Sequence, residues 1–83
     1  MSNAPAGALS FATATGLLHA LDGQAGPLDL AQVPRADSAG LSLLLELTRR
    51  AKARGDTLTI VNANAQVRSL AQFFGVDSVL TFA

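Results

Sequence analysis

Between Pro34 and Gly55 the chain leaves itself few ways to fold. Small capping residues, Asp37-Ser38-Ala39-Gly40, precede apolar positions Leu41, Leu44, Thr48 and Ala51, which recur at intervals of three, four and three and are flanked by Leu45 and Leu47. That interval pattern is the buried stripe of an amphipathic helix. The helix is expected to begin at about Ala39 and to stop near Gly55, the type of residue that commonly sits just past a helix end.

The flanking segments read as strands. Leu28-Asp29-Leu30-Ala31-Gln32-Val33 alternates and ends at Pro34, and Thr57-Leu58-Thr59-Ile60-Val61 is rich in β-branched residues. Strand, helix and strand with short links form a parallel βαβ unit. Upstream, Phe11, Ala14, Leu18 and Leu21 mark one face of a helix from Ser10 to Asp22, capped by Ser10. Downstream, Asn64 caps a last helix whose stripe is Val67, Leu70, Ala71 and Phe74 and which ends at Gly75, leaving residues 78–82 as a short strand or extended tail. The expected architecture is α/β: a small sheet with helices packed against it around a βαβ core.

With 83 residues there is one domain, and a chain of this size buries roughly 60 to 65% of its unfolded surface. Residues 1–7 are set aside as a tag remnant or disordered start, because Met1-Ser2-Asn3-Ala4 looks like a cloning scar; residues 8–83 are the domain. Charged residues are only 14% of the chain against 49% hydrophobic, so some apolar surface is expected to meet another molecule.

Several function classes fall away. Six basic residues balance six acidic ones, so no global field draws in nucleic acid, and Arg49, Arg50, Lys52 and Arg54 complement the negative end of the central helix dipole. There is no cysteine, and the one histidine, His19, lies off the apolar face of its helix as a surface residue. Neither a metal nor a cofactor is expected. Asp22, Asp29, Asp37, Glu46, Asp56 and Asp77 are scattered over different elements, and no glycine-rich phosphate loop opens a helix, so no catalytic residue is assigned and an enzyme is not expected. No apolar run approaches the roughly 20 residues of a membrane span, and no secretion signal opens the chain. A cytoplasmic protein without membrane insertion is expected.

The segment from Leu28 to Leu80, with its Asp-Leu, then Asp-Ser-x-Gly-Leu, then leucine-rich helix, strand and last helix, resembles the STAS domain, shared by anti-sigma-factor antagonists and the cytoplasmic tails of sulfate transporters. In the antagonist branch the loop looks like Asp-Ser-Ser-Gly, and its second serine is phosphorylated by a partner kinase; here that place is held by Ala39, whose methyl group accepts no phosphate. Ser38 corresponds to a small hydroxyl position often filled by threonine in the lipid-transport branch, the small STAS subunits of Mla-type phospholipid ABC transporters. That resemblance implies a non-catalytic accessory subunit that binds and regulates the transporter's ATPase subunit, peripheral to the inner membrane. An anti-sigma-factor antagonist is the alternative it leaves open. STAS domains usually open with a pair of strands, and this chain reaches its first helix without them, so the N-terminal hairpin is read as missing. Homo-oligomerisation through an exposed strand edge is the expected consequence.

The site expected from this reading is the loop and the outward face of the central helix. Asp37 is assigned to capping and Ser38 to recognition, with Ala39 and Gly40 keeping the surface low enough for a partner backbone to approach. Taking the buried stripe as centred near Leu44, Ala39, Leu43, Glu46 and Arg50 line up on the opposite side. Leu43 is therefore expected to face water as an apolar anchor, with Glu46 and Arg50 as its polar rim.

Overall fold

The computed structural model describes residues 4–23 and 26–83, the side chains of residues 11 and 12 excepted. The elements run α1 (Phe11–Leu21), β1 (Leu28–Asp29), α2 (Ser38–Ala53), β2 (Thr59–Val61), α3 (Ala65–Phe73) and β3 (Thr81–Phe82). Among the described residues the strands form one parallel sheet in the order β1-β2-β3. The helices α1 and α3 both pack against α2.

Helix ends follow local chemistry. Asp37 accepts a 2.9 Å bond from the Gly40 N–H at the start of α2, and Asn64 accepts a 3.0 Å bond from the Val67 N–H at the start of α3. Each such cap is worth about 1 kcal/mol. At the start of α1, Thr13 Oγ1 accepts from the Ser10 N–H and donates to the Ala8 carbonyl, each at 3.1 Å. The far ends of α2 and α3 are alike: Gly55 and Gly75 take positive φ values of 82° and 71°. Asp56 then donates back to the Ala51 carbonyl and Val76 to that of Ala71, each at 2.9 Å.

The strands are shorter than their residue patterns suggest. Residues 28–33 were expected to be one strand, but β1 stops at Asp29 because its carboxylate accepts from the Ala31 N–H at 2.9 Å and turns the chain. Asn62, at φ 60°, ends β2 and donates to the same carboxylate at 3.0 Å. Across the sheet Leu28, Ile60 and Phe82 lie in register. Leu28 and Ile60 are fully buried and join Leu44, Leu47, Val67 and Ala71 in the core. Burying a side chain of this kind contributes about 1.5–3 kcal/mol, so truncating Ile60 or Leu44 would remove a large share of a small domain's stability.

No hairpin precedes α1 among the described residues; the incoming segment instead makes an isolated parallel bridge, Leu9 with Ala36. Of the residues set aside as a tag remnant, 1–3 lie outside the described residues, while Pro5 is buried and Gly7 donates to the Gln32 carbonyl at 3.1 Å. One helical stripe is also corrected. Val67 and Ala71 are buried as expected, but Phe74 is the α3 cap residue and half exposed, and Phe73 beside it is 82% exposed. The two rings meet edge to face at 5.2 Å.

Candidate partner-docking site

The segment leading into α2 is held on both sides. In an extended stretch, successive backbone groups point alternately left and right. On one side the Leu9 N–H donates to the Arg35 carbonyl and the Asp37 N–H donates to the Leu9 carbonyl, both at 3.0 Å. On the other, the Gln66 side chain accepts from the Ala36 N–H at 2.8 Å and donates to the Ala36 carbonyl at 3.0 Å. Asn64 adds bonds to the Val33 and Pro34 carbonyls at 3.3 and 2.9 Å. Residues 33–37 thus have little freedom, and Ser38 follows them directly.

Ser38 is exposed at the first position of α2, and Ala39 is half-buried beside it. The Ser38 carbonyl accepts from the exposed Ser42 hydroxyl at 3.0 Å. Gly40 is not part of that surface. It is buried, and a β-carbon there would overlap the Leu9 carbonyl, so the backbone that approaches Gly40 belongs to this chain and not to a partner.

Leu43 is likewise corrected. It is 4% exposed and belongs to the core, with Ala14, Leu17, Leu18 and Leu21 of α1 packed against the same cluster. The reason is geometric. Leu43 lies roughly 100° around the helix from Leu44, at the flank of the stripe, and α1 covers that flank. The buried arc of α2 therefore takes in Gly40, Leu41, Leu43, Leu44, Leu47, Thr48 and Ala51. Thr48 is satisfied within it, its hydroxyl donating to the Leu44 carbonyl at 2.8 Å.

Glu46 and Arg50 are half exposed but already engaged. Glu46 receives Arg49 at 2.9 and 2.6 Å and Arg50 at 2.7 Å, and Arg50 also reaches Asp22 at the end of α1, at 2.6 Å. Bonds from Arg49 first and Arg50 second pull the Glu46 carboxyl down to about 2. Arg54 sits 3.4 Å from Asp22, a second tie between the C-terminal ends of α1 and α2. Arg50 therefore fastens two helices of this chain together. The six expected residues do not make one ridge: Ser38, Ala39 and Glu46 reach the surface, Gly40 and Leu43 lie inside it, and Arg50 turns toward α1.

The outward line of α2 runs instead through Ser38, Ser42, the half-buried Leu45, Arg49 and Lys52. Their spacing of four, three, four and three is that of one helix face opposite the buried arc. Gln66 had no such signal, because it acts across 30 positions of chain.

The fold defines the class: a small parallel α/β domain with helices packed on its sheet and a rigid loop at the N-terminus of the middle helix. The family model described as "Mlab, STAS domain" matches residues 6–81, and the chain belongs to the STAS domain family. It is 39% identical over 51 residues to the intermembrane phospholipid transport system binding protein MlaB of Escherichia coli K12, and to the same degree to that of Shigella flexneri. Each alignment covers 61% of this chain and 53% of the relative, so the chain spans about half the length of the curated relatives it matches. A crystal structure from Thermotoga maritima, provisionally described as an anti-sigma factor antagonist, superposes with a TM-score of 0.81 over 94% of this chain and 73% of that one. At 18% identity this likeness establishes the common fold. Among the described residues no helix is long and apolar enough to cross a membrane.

Proposed function

We propose that this protein is a non-catalytic accessory subunit of an Mla-type phospholipid transporter, and that it docks on the transporter's ATPase subunit through the start of α2. The observation that carries this reading is the placement of Ser38: exposed, at a helix N-terminus, on a loop with backbone bonds on both sides. A pre-organised surface loses little entropy on binding, so a small contact there suffices for specific recognition. The similarity to MlaB supplies the transport system. Ala39, the exposed Ser42 and Arg49, and the half-buried Leu45 between them would border the contact.

In this role the subunit hydrolyses nothing. It favours one conformation or assembly of the ATPase by binding it better than the alternatives, and it sits at the cytoplasmic side of the inner membrane through that complex. The test is a titration of the ATPase subunit with wild-type protein and with Ser38→Arg, which alters an exposed side chain and leaves the core untouched. A loss of roughly tenfold to a hundredfold in affinity is expected. Wild-type affinity in the folded variant would remove the docking site.

The antagonist reading is favoured by the Thermotoga maritima structure and opposed by Ala39, which puts a methyl group where that branch carries its phosphorylated serine. Incubation with an anti-sigma kinase and ATP separates the two, since phosphate transfer to Ser38 would favour the antagonist. A second association is proposed through the sheet: β1 and β3 each pair on one side only among the described residues, leaving strand edges that suit a second copy. A monomer by light scattering at high concentration would count against it.

A further inference from the structure

Gln66 occupies an unusual position for an α3 residue. Its side-chain amide does what a neighbouring strand would do, taking both backbone groups of Ala36 at 2.8 and 3.0 Å, on the side of the chain opposite the Leu9 bridge. An amide side chain carries an acceptor oxygen and a donor nitrogen side by side, so Gln66 serves both groups at once. The residue is itself exposed and contributes nothing to the core. Its bonds act on one short segment, through the backbone of the buried Ala36.

That segment ends at Ser38. With Leu9 on one side and Gln66 on the other, the path of residues 35–37 fixes where α2 starts and which way its first side chain is presented. We propose that Gln66 is a positioning residue for the Ser38 docking surface, coupling the first turn of α3 to the loop; this rests on the accessory-subunit reading above. Without the clamp, the peptide groups flanking Ala36 keep only their Leu9 bonds, so the segment is held on one side alone and Ser38 samples several orientations of which the partner accepts one. Affinity then falls by the fraction of time the loop spends in the competent arrangement.

The experiment compares wild type with Gln66→Met, which keeps the length and removes the amide, and Gln66→Glu, which keeps an acceptor for the Ala36 N–H and removes the donor to its carbonyl. Two quantities are read: exchange of the Ala36 amide proton, which needs no partner, and the dissociation constant for the purified ATPase subunit, measured where every variant is fully folded. In Gln66→Met the Ala36 amide is expected to exchange about tenfold faster and the dissociation constant to rise about three- to tenfold, with Gln66→Glu between it and wild type in both. A purely stabilising residue would shift the unfolding midpoint and leave the dissociation constant alone. Wild-type affinity in Gln66→Met alongside faster Ala36 exchange would overturn the positioning role while the docking site stands. Unchanged Ala36 exchange would overturn the clamp itself. If the wild-type protein fails to bind the ATPase subunit at all, the accessory-subunit reading fails first and this inference falls with it.

Discussion

The Leu9 backbone lies so close to Gly40 that a β-carbon at position 40 would overlap the Leu9 carbonyl oxygen. The glycine in the first turn of α2 admits the chain's own N-terminal segment, which bridges to Ala36 and passes directly against the helix start. Gly40→Ala should therefore destabilise the fold by about 1–3 kcal/mol through overpacking, in spite of a gain of up to about 1 kcal/mol in helix propensity. Gly16 makes the matched comparison. It lies inside α1, where an added β-carbon would meet nothing within 4 Å, and Gly16→Ala should stabilise by about 0.5–1 kcal/mol. Urea midpoints moving in opposite directions would bear this out.

The two leucines on either side of Leu44 should behave differently. Leu43 is in the core beneath α1, so Leu43→Ala should cost about 2–4 kcal/mol. Leu45, half-buried on the other flank, should cost about 1 kcal/mol when truncated. Equal losses in a urea titration would show that α1 does not cover the Leu43 side.

Acid should weaken the α2 surface network in a defined range. The Glu46 carboxyl, held by Arg49 and Arg50, titrates at about 2 in place of its ordinary 4.5. Between those values the unfolded chain binds more protons than the folded one, so the contribution of Glu46 is whole above pH 4.5 and is lost as pH falls toward 2. Glu46→Gln should flatten the dependence of stability on pH in that window. Because the group is half exposed, the slope should also shrink in about 1 M salt. A Glu46→Gln profile identical to wild type between pH 4.5 and 2 would contradict the pairing.

Asn64 has two tasks, capping α3 through its oxygen and holding the Val33 and Pro34 carbonyls through its nitrogen. Asn64→Ala should cost about 1–2 kcal/mol. Asn64→Asp keeps the capping oxygen but removes the donor, and should lose less than Asn64→Ala in thermal unfolding while freeing the 33–34 backbone to faster hydrogen exchange.

Much of this fold is written in short stretches of residues. The caps at Asp37 and Asn64, the stops at Gly55 and Gly75 and the apolar periodicity of three helices depend on neighbours within a turn or two, so the sequence alone placed the helices and the parallel βαβ order, and Asp37-Ser38 marked where the middle helix begins. What it did not contain was the identity of each element's neighbour. Leu43 is on the margin of its stripe, and only the docking of α1 turns that margin inward; Gly40 is small for the sake of Leu9, Arg50 is spent on Asp22, and Gln66 reaches a backbone 30 residues away. Helix periodicity records the direction of each side chain around its own axis, but burial depends on what is brought against that direction, and that is decided by contacts between distant parts of the chain.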